Sequence, residues 1–195
     1  ENDNCRAAIA WSIEPGHDPG VASRICVNQT WFWYRRGHFH EGRAWSERAA
    51  RATDGSEGIW RALSLLAAAF MEMWQGDLTI AAQNGEEALR NFESIGLEID
   101  PKTMAHLSLG INLINQGRDR EAFAHLNLAT EIFDQSGNEW GKATSLIHLA
   151  NASLGLGQYE QANTWLKTAW PIIQQMGDQW QIAFNLNNFG EVARA

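Results

Sequence analysis

The sequence predicts an all-α fold made of consecutive helical hairpins. Three observations carry that expectation. Glycines recur on one period: Gly37, Gly76, Gly117 and Gly157 lie 39, 41 and 40 residues apart, and a second series, Gly55, Gly96, Gly137 and Gly177, is spaced 41, 41 and 40. Two independent series with one period mark a repeat of about forty residues. Small residues follow the first series at constant offsets, with Gly42, Ala81, Ala122 and Ala162 five positions on and Ala49, Ala88, Ala129 and Ala169 twelve on. Between the glycines, apolar residues return every three or four positions, as Leu146, Leu149, Ala150 and Leu154 do, and nothing alternates as a strand would.

The elements follow in order. Residues 2–13 read as a first helix. Four helical pairs come next, at 18–36 with 39–53, 58–75 with 78–95, 101–116 with 119–136, and 139–156 with 159–176. A last helix at 179–195 has no following partner. Each glycine of the first series should end a helix in a left-handed conformation and open the turn to the next. The small residues at five and twelve share one face of the second helix, where they let the two helices of a pair approach closely. Pro101 suits the first turn of its helix. Pro171, inside the ninth, should kink it. The chain therefore reads as a lead-in helix, 1–16, continuing from a preceding domain, and one array over 17–195 of about four hairpins plus an unpaired helix. It does not begin with methionine, and the helical pattern is still running at Asn188-Phe189-Gly190-Glu191-Val192-Ala193. Solenoid ends carry polar capping repeats, so a fragment of a longer protein is expected.

Composition excludes several classes. Apolar residues are 45% of the chain, ample for a core. No run of eighteen apolar residues occurs, so no membrane span is expected, and no signal peptide opens the chain. The net charge is −8. Residues 1–54 hold seven charges of each sign, while residues 55–195 hold eight basic and sixteen acidic ones. Such a balance argues against direct nucleic-acid contact. The cluster Arg35, Arg36, Arg43, Arg48 and Arg51 reads as a solvated helix face. Cys5 and Cys26 are too few for a disulfide framework; they read as buried free thiols, which suits the cytoplasm.

No catalytic constellation stands out, and the chain is not expected to be an enzyme. His38-Phe39-His40-Glu41 comes nearest to a metal cluster, yet no further ligand lies close in sequence, so neither metal nor cofactor is expected. No nucleophile elbow occurs. The acid pair Glu86-Glu87 belongs on a solvated face. Ten tryptophans are many. Trp140 and Trp180 share one repeat position and Trp45 and Trp165 another, which argues for packing between hairpins. Trp31, Trp74 and Trp170 do not recur and are freer to serve a site.

The spacing resembles the tetratricopeptide repeat. Ala69, Gly110 and Ala150 stand seven before a turn glycine, as that family's small residue does, and Phe39 and Tyr159 match its turn aromatic. The period is about six residues longer than the family's, and the usual proline closing the second helix is absent. The resemblance implies a right-handed α-α superhelix whose concave groove is lined by the first helix of each hairpin. A narrower resemblance lies in the opening Glu1-Asn2-Asp3-Asn4-Cys5-Arg6-Ala7-Ala8-Ile9-Ala10-Trp11 and in Trp31-Phe32-Trp33-Tyr34-Arg35-Arg36-Gly37-His38-Phe39, followed by Glu41-Gly42-Arg43-Ala44-Trp45. These segments are similar to the junction after the nucleotide-binding and winged-helix parts of large bacterial signal-transduction ATPases, including LuxR-type transcriptional regulators, and the resemblance implies carboxy-terminal forty-residue repeats that sense an inducer or a partner. No phosphate-binding Gly-x-x-x-x-Gly-Lys-Ser/Thr loop occurs here, so any ATPase activity would lie in another domain.

Carrying the family register over names candidate groove residues. They are Arg24, Asn28, Trp31, Tyr34 and Arg35; Phe70 and Trp74, with Leu63, Leu66 and Met73; Ser108, with Met104 and Leu107; His148 and Asn151, with Ile147; and Asn188. The groove so drawn is apolar in the middle and polar at both ends. Its asparagines suit extended peptide backbone, each offering a donor and an acceptor. A terminal-carboxylate clamp of the chaperone-adaptor kind has no counterpart at Val27, Leu66, Leu107, Ile147 or Asn187. The expected function is a ligand- or protein-binding module, the sensor part of a multidomain transcriptional regulator. Its expected partner is a peptide, a protein segment or a small inducer. The alternative is a self-association scaffold, a homo-oligomer with no separate ligand.

Overall fold

A computed structural model describes residues 2–54, 58–96 and 101–194. Ten helices and no strand occur among the described residues: α1 (Asn2–Ser12), α2 (Pro19–Arg36), α3 (Phe39–Ala52), α4 (Gly58–Gln75), α5 (Leu78–Ser94), α6 (Pro101–Asn115), α7 (Asp119–Ser136), α8 (Glu139–Gly155), α9 (Tyr159–Met176) and α10 (Gln179–Arg194). All ten expected helices are present. Several end one residue early, because the last expected residue, such as Thr53 or Ile95, serves as the C-cap. Helix α2 starts at Pro19 and not at residue 18, since Asp18 is its N-cap and accepts a 2.9 Å hydrogen bond from the Gly20 amide. Helix α9 is one continuous helix through Pro171.

The turn glycines do what the period required of them. Gly37 has φ 71° and ψ 19°, and its amide returns to the Tyr34 carbonyl while His38 bonds back to Trp33. A side chain at that φ would be strained, which is why glycine recurs there. Gly55 of the second series lies outside the described residues.

The helices form two compact units, Glu1–Ser108 and Leu109–Ala195, with α6 contributing its first half to one and its second half to the other. In the first unit, α2 packs on α1, α3 and α4, and α4 packs on α3 and α5. Its core joins Ile9, Cys26, Trp33, Ala49, Ala67 and Met71. Helix α1 is part of that core, because Ile9 is fully buried and Arg6, one turn earlier, holds Glu41 of α3 at 2.5 and 2.8 Å. In the second unit, α8 packs on α7 and α9, and α10 packs on α8 and α9. Ala150, Ala162 and Leu166 form its centre, flanked by Leu154, Trp165, Phe189 and Val192.

The small positions explain how closely the helices approach. Ala81, Ala122 and Ala162, and Ala49, Ala88, Ala129 and Ala169, are all buried. A Cβ at Gly42 would sit 2.7 Å from the Trp33 ring and 2.8 Å from the Met71 sulfur. A Cβ at Gly110 would sit 2.6 Å from Leu126 Cγ. The first hairpin thus pairs the smallest residue with the largest. The later repeats use alanine at that offset and place Glu72, Leu113 and Ser153 where Trp33 stands.

Glu72 is a charge in the interior of the first unit. It is fully buried, accepts two 2.8 Å contacts from Asn84 Nδ2, and lies 3.8 Å from Arg43. Burial pushes its carboxyl up, against the Asn84 hydrogen bond and the Arg43 charge. Arg43 also binds Glu47, Gln75 and Asp77, tying α3 to α4 and to the start of α5.

Candidate binding groove

Helix α2 carries Arg24, Asn28, Trp31 and Arg35 at intervals of four, three and four, so all four lie on one face. That face borders a cleft of about 360 Å³ in the first unit. Its walls are Val27, Asn28, Thr30 and Trp31 of α2, Leu63, Leu66, Ala67 and Phe70 of α4, and Pro101, Met104 and Ser108 of α6. All three helices are the first members of their pairs. The volume falls within the range of small-ligand sites, and the walls are mostly apolar with a few polar groups, the usual character of such sites.

An aromatic cluster forms one end. Trp31 meets Phe70 at 5.7 Å and Tyr34 edge-on at 5.5 Å; Tyr34 continues to Trp74 at 4.7 Å. Trp31 and Trp74 remain 41% and 44% exposed, so two indoles face solvent beside an apolar cleft. Burial raises the Tyr34 hydroxyl above its ordinary range, opposed by the Arg35 charge. Among the polar groups, Thr30 donates to the Cys26 carbonyl at 3.0 Å, and Asn28 Nδ2 donates to the Arg24 carbonyl at 2.7 Å. The Asn28 bond leaves its Oδ1 as an acceptor at the rim. Arg24 holds its guanidinium 5.4 Å from the Trp60 ring.

Eight of the sequence-derived residues thus fall in the first unit. Asn28, Trp31, Phe70 and Ser108 line the cleft; Tyr34 and Trp74 extend its aromatic end; Arg24 and Arg35 lie on the same face of α2. Met73 and Leu107, drawn beside them from the repeat register, are core residues at 5% and 2% exposure. One residue, about a hundred degrees of helix rotation, separates Met73 from the exposed Trp74. Thr30, Ala67 and Pro101 were not foreseen as walls. Thr30 occupies the small-residue position seven before Gly37, and that equivalence was the available signal.

Three residues fall in the second unit. Asn151 and Asn188 line a separate cavity of about 360 Å³ with Leu154, Tyr159 and Glu191. Asn188 is 3% exposed, and its buried Nδ2 has no hydrogen-bond partner among the described residues. His148 lies in the interior at 8% exposure, its ring 5.4 Å from Phe184. Burial pushes its pKa down to about 4, so the imidazole is neutral. Ile147 beside it is 1% exposed.

The histidine pair at the start of α3 is engaged in structural contacts, with His38 stacked on Phe32 at 6.0 Å between ring centroids. Glu41 is held by Arg6, and His40 Nδ1 lies 3.2 Å from Gln75 Nε2. No group of three metal-ligating side chains occurs among the described residues. Among the same residues, no helix is long and apolar enough to cross a membrane. Cys5 and Cys26 are free thiols, Cys5 half-buried and Cys26 buried, and burial pushes the Cys26 thiol up to about 12.

The helical pairs, their glycine turns and their small-residue contacts define a repeat fold of the tetratricopeptide type, and solved structures share it. Apo RapI superposes with a TM-score of 0.76 at 16% identity, over 99% of this chain and 76% of that one. A Rap protein complexed with competence and sporulation factor gives 0.72 at 17% identity, over 84% of this chain and 46% of that one, so this chain matches under half the length of that protein. A kinesin light chain of Podosopora anserina with nearly identical TPR-like repeats gives 0.67 at 19% identity, over 89% and 85%. No family profile matches the sequence, and no curated protein matches it significantly.

Proposed function

We propose that the chain is a non-catalytic binding module that takes up a peptide, a segment of a protein or a small inducer in the cleft between α2, α4 and α6. The observation that carries this reading is the half-exposed pair Trp31 and Trp74 beside an apolar cleft with Asn28 and Ser108 in its walls. Apolar surface left open next to hydrogen-bonding groups suits a ligand with both kinds of chemistry. A Rap protein of the same fold was solved in complex with competence and sporulation factor, which supports a binding role for a chain of this fold. In this reading the module belongs to a multidomain bacterial transcriptional regulator. It works in the cytoplasm, and the ligand shifts the parent between two states by binding one of them more tightly.

The direct test is capture. A phage-displayed library of random dodecapeptides is panned on the chain and on Trp31→Ala/Asn28→Ala, two exposed positions whose loss should leave the fold intact by circular dichroism. Sequences enriched on the parent chain and not on the variant are the expected result. Equal enrichment on both would remove the cleft as the site. The regulatory setting is tested by the gene: a parent reading frame without a nucleotide-binding domain would end that part of the reading.

One observation favours a second reading, a self-association scaffold. Helix α10 leaves Trp180 and Leu186 exposed at 45% and 52%. Large apolar side chains left exposed on one helix face can pair chains.

A further inference from the structure

The cleft of the first unit has a charge pattern that selects among its ligands. Helix α2 holds Arg24, Arg35 and Arg36 and no carboxylate. In the same unit Arg6, Arg43, Arg51, Arg61, Arg90 and Lys102 have carboxylate partners within 4 Å, while Arg48 of α3 lies over the Trp45 ring at 4.3 Å. Arg24, Arg35 and Arg36 have none among the described residues. The one carboxylate on α4 is Glu72, which is fully buried and already held by Asn84 and Arg43. Among the described residues, arginines without a carboxylate partner therefore flank the α2 wall of the cleft, on a chain whose net charge is −8.

Arg24 and Arg35 stand at opposite ends of the α2 face, with the cleft wall at Asn28 and Trp31 between them. Eleven residues of helix separate them by about 16 Å. An extended chain advances about 3.3 Å per residue, so about five residues span the same distance. We infer that the cleft reads an extended acidic peptide segment of a partner protein, with one carboxylate at Arg24, an apolar side chain in the cleft, and a second carboxylate about five residues on at Arg35. Guanidinium groups suit this role, since each can meet a carboxylate with two parallel hydrogen bonds. The Trp60 ring beneath Arg24 keeps that group in place without neutralising it. The inference rests on the cleft-binding reading above.

The test uses the same dodecapeptide library. Sequences enriched through Trp31 and Asn28 should carry Asp or Glu pairs four to six residues apart around Leu, Ile or Phe. One such peptide is synthesised with a fluorescein label, together with its analogue in which Asn and Gln replace the acids. By fluorescence anisotropy at low salt, the amide analogue should bind about tenfold or more weakly, the worth of one to two charged hydrogen bonds. Arg24→Gln/Arg35→Gln should weaken the acidic peptide by a similar factor and leave the analogue within about twofold, and added salt should close the gap between the two peptides. Enrichment that depends on Trp31 but shows no acidic bias, or acidic binding untouched by the arginine changes, would overturn the charge assignment and leave the cleft reading standing. Tighter binding of a basic peptide or of an oligouridine would overturn it as well. Absence of any Trp31-dependent capture would sink both.

Discussion

At the scale of single residues, the molecule separates groups that look alike in sequence. His148 and Asn151 are three positions apart on α8, yet the imidazole is interior while the amide lines a cavity. A buried neutral histidine has a consequence for stability. Its pKa is about 4 in the folded chain, against an ordinary value of 6.5. Between those two pH values the unfolded chain holds a proton that the native chain does not, so stability falls as pH drops from 6.5 towards 4. The loss is at most roughly 3 kcal/mol at about 1.4 kcal/mol per pH unit. His148→Leu, which cannot titrate, should flatten that part of the profile in urea midpoints taken at pH 7 and pH 4.5. An identical drop in both proteins would show that His148 is not the group responsible. The sequence placed His148 on the face of a repeat helix but could not see Phe184 closing over it, since that contact comes from α10, more than thirty residues later. The same blindness put Met73 and Leu107 beside the cleft. A helical register carried over from a thirty-four-residue repeat onto a forty-residue one is a weak guide to which of two neighbouring residues, Met73 or Trp74, is the exposed one.

At the scale of helices and hairpins, the sequence was far more legible. Helix ends were set by local chemistry: glycines at positive φ, Asp18 as an N-cap, and Pro101 at the start of α6. Hairpin closeness was set by small residues at fixed offsets, and every one of them is buried. These are short-range constraints, so one sequence suffices to read them. Ala122→Leu places three extra carbons between α6 and α7, near the Leu126 side chain that already touches the Gly110 position. The expected cost is about 1–3 kcal/mol by chemical denaturation. Ala124→Leu, on the exposed side of the same helix, is the control and should change stability by less than about 0.5 kcal/mol. Equal losses at both positions would contradict the packing role assigned to the five-offset alanine. The role of α1 was the harder part of this level to read. Its burial through Ile9 and its tie to Glu41 through Arg6 join residues more than thirty positions apart, which no repeat offset encodes.

At the scale of the whole chain, charge and exposed apolar surface decide how it meets other molecules. The excess of acid adds repulsion between copies at neutral pH, while Trp180 and Leu186 on α10 offer an apolar contact. Light scattering over a hundredfold concentration range distinguishes the outcomes. A mass that stays near 21.8 kDa supports a binding module that acts as a monomer. A mass that doubles, and returns to one chain in Leu186→Glu, supports the scaffold reading. Of the functional surface, the residue types of the cleft were visible in the sequence. Its boundaries were not, because they need α2, α4 and α6 brought together in space. The same assembly makes the ten tryptophans useful, since they are spread over both units and each indole N–H gives one nuclear magnetic resonance signal. The decisive measurement is the shift of those signals on adding a peptide captured by the library, with each signal assigned by single Trp→Phe changes. Shifts concentrated at Trp31 and Trp74, with Trp165 and Trp180 still, are the expected result. Unmoved Trp31 and Trp74 signals at a saturating peptide concentration would contradict the cleft as the binding site.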